Sequence, residues 1–307
     1  MQNADTVLMI EPVAFGFNDQ TAENNFFQKN VKLQNIQSQA LAEFRNFAEL
    51  LSKNGIEVVV IKDTLKPHTP DSIFPNNWVS FGHEGDVVLY PMYAQNRREE
   101  RRMDIIEHLK SLGFFVKNIQ DYTFYENKEK YLEGTGSIIF DHEYKIAYAS
   151  VSKRMDPEAF LYFCNKTQYK PIIFRSYQSV GDRRLPVYHT NVMMCVASQY
   201  VVICLEAIED IKEKKLVMDA ILSTQKEIIE ITEKQMQNFA GNMLQLKNKK
   251  GKKFLVMSQA AYAALTEDQI KKLERYNTIL SPDLSTIETL GGGSARCMLA
   301  EIFLPKK

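Results

Sequence analysis

The chain has 307 residues, 45% of them hydrophobic and 25% charged, and Lys+Arg and Asp+Glu both total 38, so the formal net charge is zero. That balance excludes a polyanion binder driven by bulk charge, and no apolar run approaches the ~18 residues from which a spanning helix is read. Cys164, Cys195, Cys204 and Cys297 show neither CxxC nor Cys/His spacing, so neither a zinc site nor a disulfide framework is expected. Met1 to Asp5 lacks a basic stretch followed by an apolar one, and the expected location is the cytoplasm.

In chain order, a short apolar run is followed by a stretch of helical period and then by another short apolar run. The first strand is expected over Val7 to Glu11, and the first helix over Val31 to Asn54, where Leu33, Ile36, Ala40, Phe44, Phe47 and Leu51 recur at helical spacing and Asn54-Gly55 supplies a stop. The strand Ile56 to Ile61 follows. A hairpin of Trp78 to Phe81 with Val87 to Tyr90 precedes a helix over Arg97 to Gly113 and a run at Phe114 to Val116. Ser137 to Phe140 pairs with Lys145 to Tyr148, ahead of a helix over Pro157 to Lys166 and a strand over Pro171 to Phe174. Asp156 caps that helix, with Pro157 at its first position. The apolar runs 192–197 and 200–205 lead to a helix over Glu209 to Ser223 and a strand over Glu227 to Ile231. The Lys-rich stretch Lys247 to Lys253 reads as a solvated turn rather than a nucleic-acid site. A helix over Glu267 to Tyr276 and a strand over Thr278 to Leu280 follow, and a last strand, about Ala295 to Leu304, is expected to pair with the first. With helix starts about every 55–65 residues, the expected fold is α/β, a five-bladed pseudo-symmetric propeller of ββαβ units forming a single domain over 1–307. An ordinary open α/β sheet is the alternative.

Four strings can carry chemistry. Leu290-Gly-Gly-Gly-Ser-Ala-Arg-Cys297 delivers a thiol from a loop whose glycines allow close backbone approach, with Arg296 beside it to favour thiolate. A buried structural cysteine after a flexible loop fits the same string. Tyr188-His189-Thr-Asn191 places His189 at a strand mouth, although a histidine there is more often packed or at the surface. Leu132-Glu133-Gly-Thr-Gly136 places a carboxylate between a leucine and a glycine ahead of an apolar run, where an exposed turn acid is the alternative. Pro70-Asp71-Ser-Ile-Phe-Pro-Asn76-Asn77-Trp78 combines an acid, two amides and the chain's one tryptophan in a loop stiffened by proline, or an ordered loop held by Asx-turns.

Together, in this order along the chain, the strings resemble the guanidino-group-modifying superfamily, the penteins, which includes arginine deiminases, dimethylarginine dimethylaminohydrolases and amidinotransferases; the subgroup suggested is the citrulline-utilisation hydrolase-like proteins. The resemblance covers essentially the whole chain. It implies a cysteine hydrolase with Cys297 as nucleophile, His189 as general acid/base and Glu133 as the carboxylate supporting both histidine and substrate. Asp71, in a string similar to Pro-Asp-x-x-Phe, is implied to bind substrate nitrogens, with Asn77 and Asn191 facing the same group. Arg97 in Asn96-Arg97-Arg98-Glu99 and Arg154 in Ser150-Val-Ser-Lys-Arg154 match strings whose arginines hold a substrate α-carboxylate, and between Arg97 and Arg98 the choice is Arg97. Neither a metal nor an organic cofactor is implied. The expected partner is a small amino-acid substrate, with no nucleic acid and no membrane, and a homodimer is the one assembly kept open.

The sequence departs from the family pattern where Asn191, Asn76 and Asn77 stand in place of acids and Thr135 and Gly136 in place of Gly and Asp. A guanidinium cannot shed its charge, and burying it requires carboxylates. Amides remove negative charge while keeping hydrogen-bonding capacity, which suits a neutral ureido group. The expected substrate is therefore citrulline, split to ornithine, CO₂ and ammonia, with arginine or agmatine deimination, dimethylarginine hydrolysis or amidino transfer as alternatives. A non-catalytic pentein that binds macromolecules is the reading from another class.

Overall fold

The computed structural model describes residues 1–31 and 34–306. Among these residues the strands form five three-stranded sheets and one separate hairpin, Tyr177–Val180 with Arg183–Pro186. Each three-stranded sheet repeats one pattern, an antiparallel pair followed by a parallel one. The sets are 79–81, 86–89 and 118–121; 139–141, 146–150 and 170–174; 194–196, 200–203 and 227–230; 244–247, 253–256 and 278–280; and 300–301, 6–11 and 57–62. A parallel pair needs a long crossover, usually helical. In the five sheets it contains Met103–Ser111, Pro157–Thr167, Ile211–Leu222, Glu267–Glu274 and Ile36–Lys53 respectively. The fold is thus mixed α/β with small sheets, and no closed sheet joins them among the described residues.

The last strand does pair with the first, Leu8 opposite Ala300 and Val7 opposite Glu301. Only Ala300–Glu301 is extended there, because Ala295–Met298 is a turn of 3₁₀-helix that brings Cys297 to the strand mouth. The expected helix over Arg97 to Gly113 is two, Gln95–Arg98 and Met103–Ser111. The strand expected at Phe114 to Val116 lies at Asn118–Asp121, a largely polar segment with exposed ends that apolar patterning passes over. The first helix begins at Ile36, and Leu33, counted in its periodicity, lies outside the described residues. Asp156 caps its helix as expected, accepting from the N–H groups of Glu158 and Ala159.

The helices pack one face inward. Ala40, Phe44, Phe47 and Leu51 of Ile36–Lys53 are buried, and each large apolar side chain contributes about 1.5–3 kcal/mol on burial. No helix among the described residues is long and apolar enough to cross a membrane.

Candidate active site

Local sequence at the mouths of the first strands positions the site. Each of the sheets beginning at 79, 139, 194, 244 and 300 is led in by a tight turn that includes, in order, Asn77, Gly136, Asn191, Asn242 and Cys297. These residues lie about 50 to 60 apart in sequence, and Asn77 and Cys297 of them reach the wall of one small cavity. Its lining includes Asn25, Asp71, Asn77, Arg97, Arg154, Tyr188, His189 and Cys297. Free space within it is about 10 Å³, room for roughly one water molecule.

The Cys297 sulfur is buried and receives two amide N–H groups, Asn191 Nδ2 at 3.4 Å and Asn242 Nδ2 at 3.3 Å. The orientation of Asn242 is pinned by the backbone, since its Oδ1 accepts from the Arg296 N–H and its Nδ2 also donates to the Asn191 carbonyl. Two amide donors thus fix the position of the sulfur in the pocket. The other thiols lie elsewhere, where burial pushes Cys164 and Cys195 up to about 12 and Cys204 to about 11.

His189 Nε2 lies 2.8 Å from Glu133 Oε2. Burial lowers the imidazole to about 4, against the opposing pull of the Glu133 hydrogen bond and charge, so the ring is neutral at pH 7. Burial alone would raise Glu133, but the Arg154 charge, the His189 hydrogen bond and the nearby Arg97 bring it down to about 2. Carboxylate and neutral imidazole are consistent, with Nε2–H donating to Glu133 and Nδ1 left as acceptor. Glu133 Oε1 accepts from the Tyr93 N–H at 3.0 Å. The Gly134–Ser137 turn behind it must be glycine-rich: Gly134 has φ +42°, and a Cβ at Gly136 would overlap Asn77 Nδ2 and lie 2.9 Å from His189 Nδ1. An aspartate at position 136 has no room here.

Asp71 is buried, and its carboxyl is raised by burial against the opposing charge of Arg97. Oδ2 accepts from Asn18 Nδ2 at 2.8 Å and Thr21 Oγ1 at 2.9 Å, while Oδ1 has no partner. Asn77 Nδ2 and Asn191 Oδ1 are likewise buried without partners. Arg97 is fully engaged: Nε and Nη2 donate to Glu100, Nη1 to Asn77 Oδ1, and Nη2 also to the Phe74 carbonyl. Arg154 Nε donates to Asn24 Oδ1 at 2.7 Å and Nη2 to the Thr21 carbonyl at 3.0 Å, and its Nη1 is 3.5 Å from Glu133. Residues 18–29 therefore lie across the site as a cover, bonded to Asp71, to Arg154 and, through Asn25, to the Gly292 carbonyl.

All eight residues singled out in the sequence fall in this one cluster. Those that the sequence reading passed over are Asn242, Glu100, Tyr188 and the cover residues Asn18, Thr21, Asn24 and Asn25. For Asn242 a signal exists: like Asn77 and Asn191 it is an asparagine a few residues ahead of an apolar first strand.

Residues 11–304 match the family described as N,N dimethylarginine dimethylhydrolase, eukaryotic. No curated protein matches the sequence. The structure is similar to apo ArgZ, an arginine dihydrolase from the ornithine–ammonia cycle in cyanobacteria, with TM-score 0.75 and 17% identity, covering 98% of this chain and 41% of that one. It is similar to the ArgZ N-terminal domain, a cysteine-to-serine mutant bound to substrate, with TM-score 0.72 and 18% identity over 97% of this chain and 99% of that one. A cysteine-to-serine mutant of DDAH from Pseudomonas aeruginosa, complexed with citrulline, gives TM-score 0.67 and 14% identity over 98% and 100%. The chain thus spans about two fifths of full-length ArgZ, and at these identities the likeness is one of fold. Because the family match runs through nearly the whole chain, the protein belongs to the N,N-dimethylarginine dimethylhydrolase family of the pentein superfamily, hydrolases of the C–N bonds of guanidino groups.

Proposed function

We propose that the chain is a cysteine-dependent hydrolase of the guanidino group of an arginine-like amino acid, with Cys297 as nucleophile. The observation that carries this is the buried thiol held by two amide donors in the same pocket as the His189–Glu133 pair. Neutral His189 takes the thiol proton, and the resulting imidazolium is stabilised by the carboxylate 2.8 Å away. The Cys297 sulfur then bonds to the guanidino carbon, His189 returns the proton to the leaving nitrogen, and the C–N bond breaks. Water, deprotonated by His189, next attacks the same carbon, and the C–S bond breaks to give a ureido product and free enzyme.

A guanidinium is favoured by charge. Asp71, Glu100 and Glu133 face Arg97 and Arg154 among the buried groups here and His189 is neutral, and with Glu100 raised to about 7 by burial the excess is at most one negative charge. Asp71 Oδ1 lacks a partner, and a substrate N–H would supply it. In this reading Asp71 and Asn77 bind the guanidino nitrogens, Asn191 and Asn242 hold the sulfur, Arg154 grips the α-carboxylate once the cover residues release it, and Arg97 braces the Asp71–Asn77 loop. Citrulline is the second reading, favoured by the unpartnered amide atoms Asn77 Nδ2 and Asn191 Oδ1, which can serve a neutral ureido group. We further infer that residues 1–307 act as one catalytic domain, that the five sheets are five blades around the site, and that the enzyme works without cofactor in the cytoplasm. The test is turnover of L-arginine, dimethylarginine and citrulline, scored for citrulline, ornithine and released amine. Turnover of a guanidino substrate, lost in Cys297→Ser with the fold intact, is expected; turnover surviving in that variant overturns the nucleophile.

A further inference from the structure

Behind the cover lies a second and larger cavity, of about 430 Å³, lined by Phe27 and Lys29 of the cover, Gln178, Phe239, Glu288 and Thr289 among others. Its volume is within the range of small-molecule sites, ~300–1,000 Å³. None of these residues lines the cavity around Cys297.

Three features of this cavity point to a ligand. Gln178 is 2% exposed, and its Nε2 has no hydrogen-bond partner. A buried donor without a partner is costly, and one that lines a roomy cavity is available to an acceptor there. Glu288 is also buried, and its carboxyl is raised to about 7 by burial, with Glu43 and Asp283 adding to the rise and hydrogen bonds from Ser258 and Ser294 opposing it. A cation beside it would restore its charge. Lys29, exposed at the mouth, supplies a positive group, and the rings of Phe27 and Phe239, 5.1 Å apart, form an apolar wall. A donor and a cation that await an anion, a carboxyl that awaits a cation, and an apolar wall together match a zwitterion with an aliphatic, positively charged side chain.

We propose that this cavity is a second small-molecule site, which takes an α-amino acid with a cationic side chain, the cation on Glu288 and the carboxylate on Lys29 and Gln178 Nε2. The site is joined to the catalytic pocket by two short routes. Ser294 Oγ donates to Glu288 at 2.6 Å, and the Ser294 carbonyl accepts the Cys297 N–H at 3.0 Å. Phe27 packs against Tyr188, whose hydroxyl donates to the Gly292 carbonyl at 2.7 Å. The Lys29 N–H is bonded to the Thr289 carbonyl, so an occupant that draws Lys29 and Glu288 together also fastens the cover.

The proposal is tested by calorimetric titration of L-arginine into the Cys297→Ser protein, which separates binding from turnover. Two sites per chain are expected. Gln178→Leu, nearly isosteric and without the amide, should weaken one of them by about tenfold or more and leave the other unchanged. Glu288→Gln should do the same, which guards against a packing effect peculiar to leucine, and thermal melts confirm that both variants fold. Arg154→Ala should weaken only the other site. A single site, or two sites indifferent to both Gln178→Leu and Glu288→Gln, overturns the second site. If instead the site sensitive to Gln178 is present and no site responds to Arg154, the second site stands and the catalytic reading fails.

Discussion

Asn242 offers the most direct trial of how the thiol is activated. Replacing it by aspartate keeps the oxygen that accepts the Arg296 N–H and turns the donor 3.3 Å from the Cys297 sulfur into a second acceptor. Size and the bond from the Arg296 N–H are retained, while the bond from Nδ2 to the Asn191 carbonyl is lost, and alkylation of Cys297 reads the charge felt by the sulfur. Two unit charges 3.3 Å apart repel by about 1 kcal/mol at a dielectric of 80 and about 5 kcal/mol at 20. The lost N–H donation adds to this. Each ~1.4 kcal/mol is a tenfold change in thiolate population, so alkylation of Cys297 by iodoacetamide at fixed neutral pH should slow by about tenfold or more. Labelled peptides are quantified by mass spectrometry, with Cys164, Cys195 and Cys204 as internal references. Turnover should fall in proportion. An alkylation rate within twofold of wild type, in a variant that melts normally, would falsify the view that amide donors activate this thiol.

Asn191→Asp adds a carboxylate within ~4 Å of the reacting group, worth on the order of 1–4 kcal/mol, and should raise kcat/KM for arginine relative to citrulline by about tenfold; an unchanged ratio sinks the charge argument. Arg154→Lys loses the planar fork and should raise KM for an amino-acid substrate about tenfold while sparing its decarboxylated analogue, and equal losses for both make Arg154 structural. Glu288 keeps its proton up to about pH 7 when folded but only to about 4.5 when unfolded. Stability therefore falls as pH rises through that window, by roughly 3 kcal/mol in full. The Tm of Glu288→Gln, relative to wild type, should be higher at pH 8 than at pH 5, and a pH-independent difference refutes the buried carboxyl.

What the sequence disclosed followed from local chemistry. Helices announced themselves where apolar spacing and caps coincide, as at Asp156-Pro157 and along Ala40 to Leu51. Strands declared themselves where β-branched or apolar residues run together, as at Val58 to Ile61, whereas Asn118–Asp121, with one apolar residue among four, carries no such pattern. The site residues were legible because Cys297, His189, Glu133 and Asp71 sit in distinctive strings. Asn242 shares with Asn77 and Asn191 only its place a few residues ahead of a first strand, and it is the convergence of strand mouths that reveals that it touches the sulfur. Arg97 read as a substrate clamp from its string, yet its partners are Glu100, Asn77 and the Phe74 carbonyl, a network set by tertiary contacts that spacing alone does not encode.

The tightness of the Cys297 cavity bears on the fate of a covalent intermediate. Once a carbon is bound to the sulfur, whatever ends the cycle must reach it through a chamber with free space for roughly one water molecule, roofed by residues 18–29. An amine large enough to accept an amidino group cannot arrive until that roof has let go of Arg154 and Asp71, which together hold it by four hydrogen bonds. Water needs no such permission. Partitioning between hydrolysis and group transfer is then a contest between solvent diffusion and roof opening, and loosening the roof, by Asn24→Ala for instance, is the change that would let a competing nucleophile in.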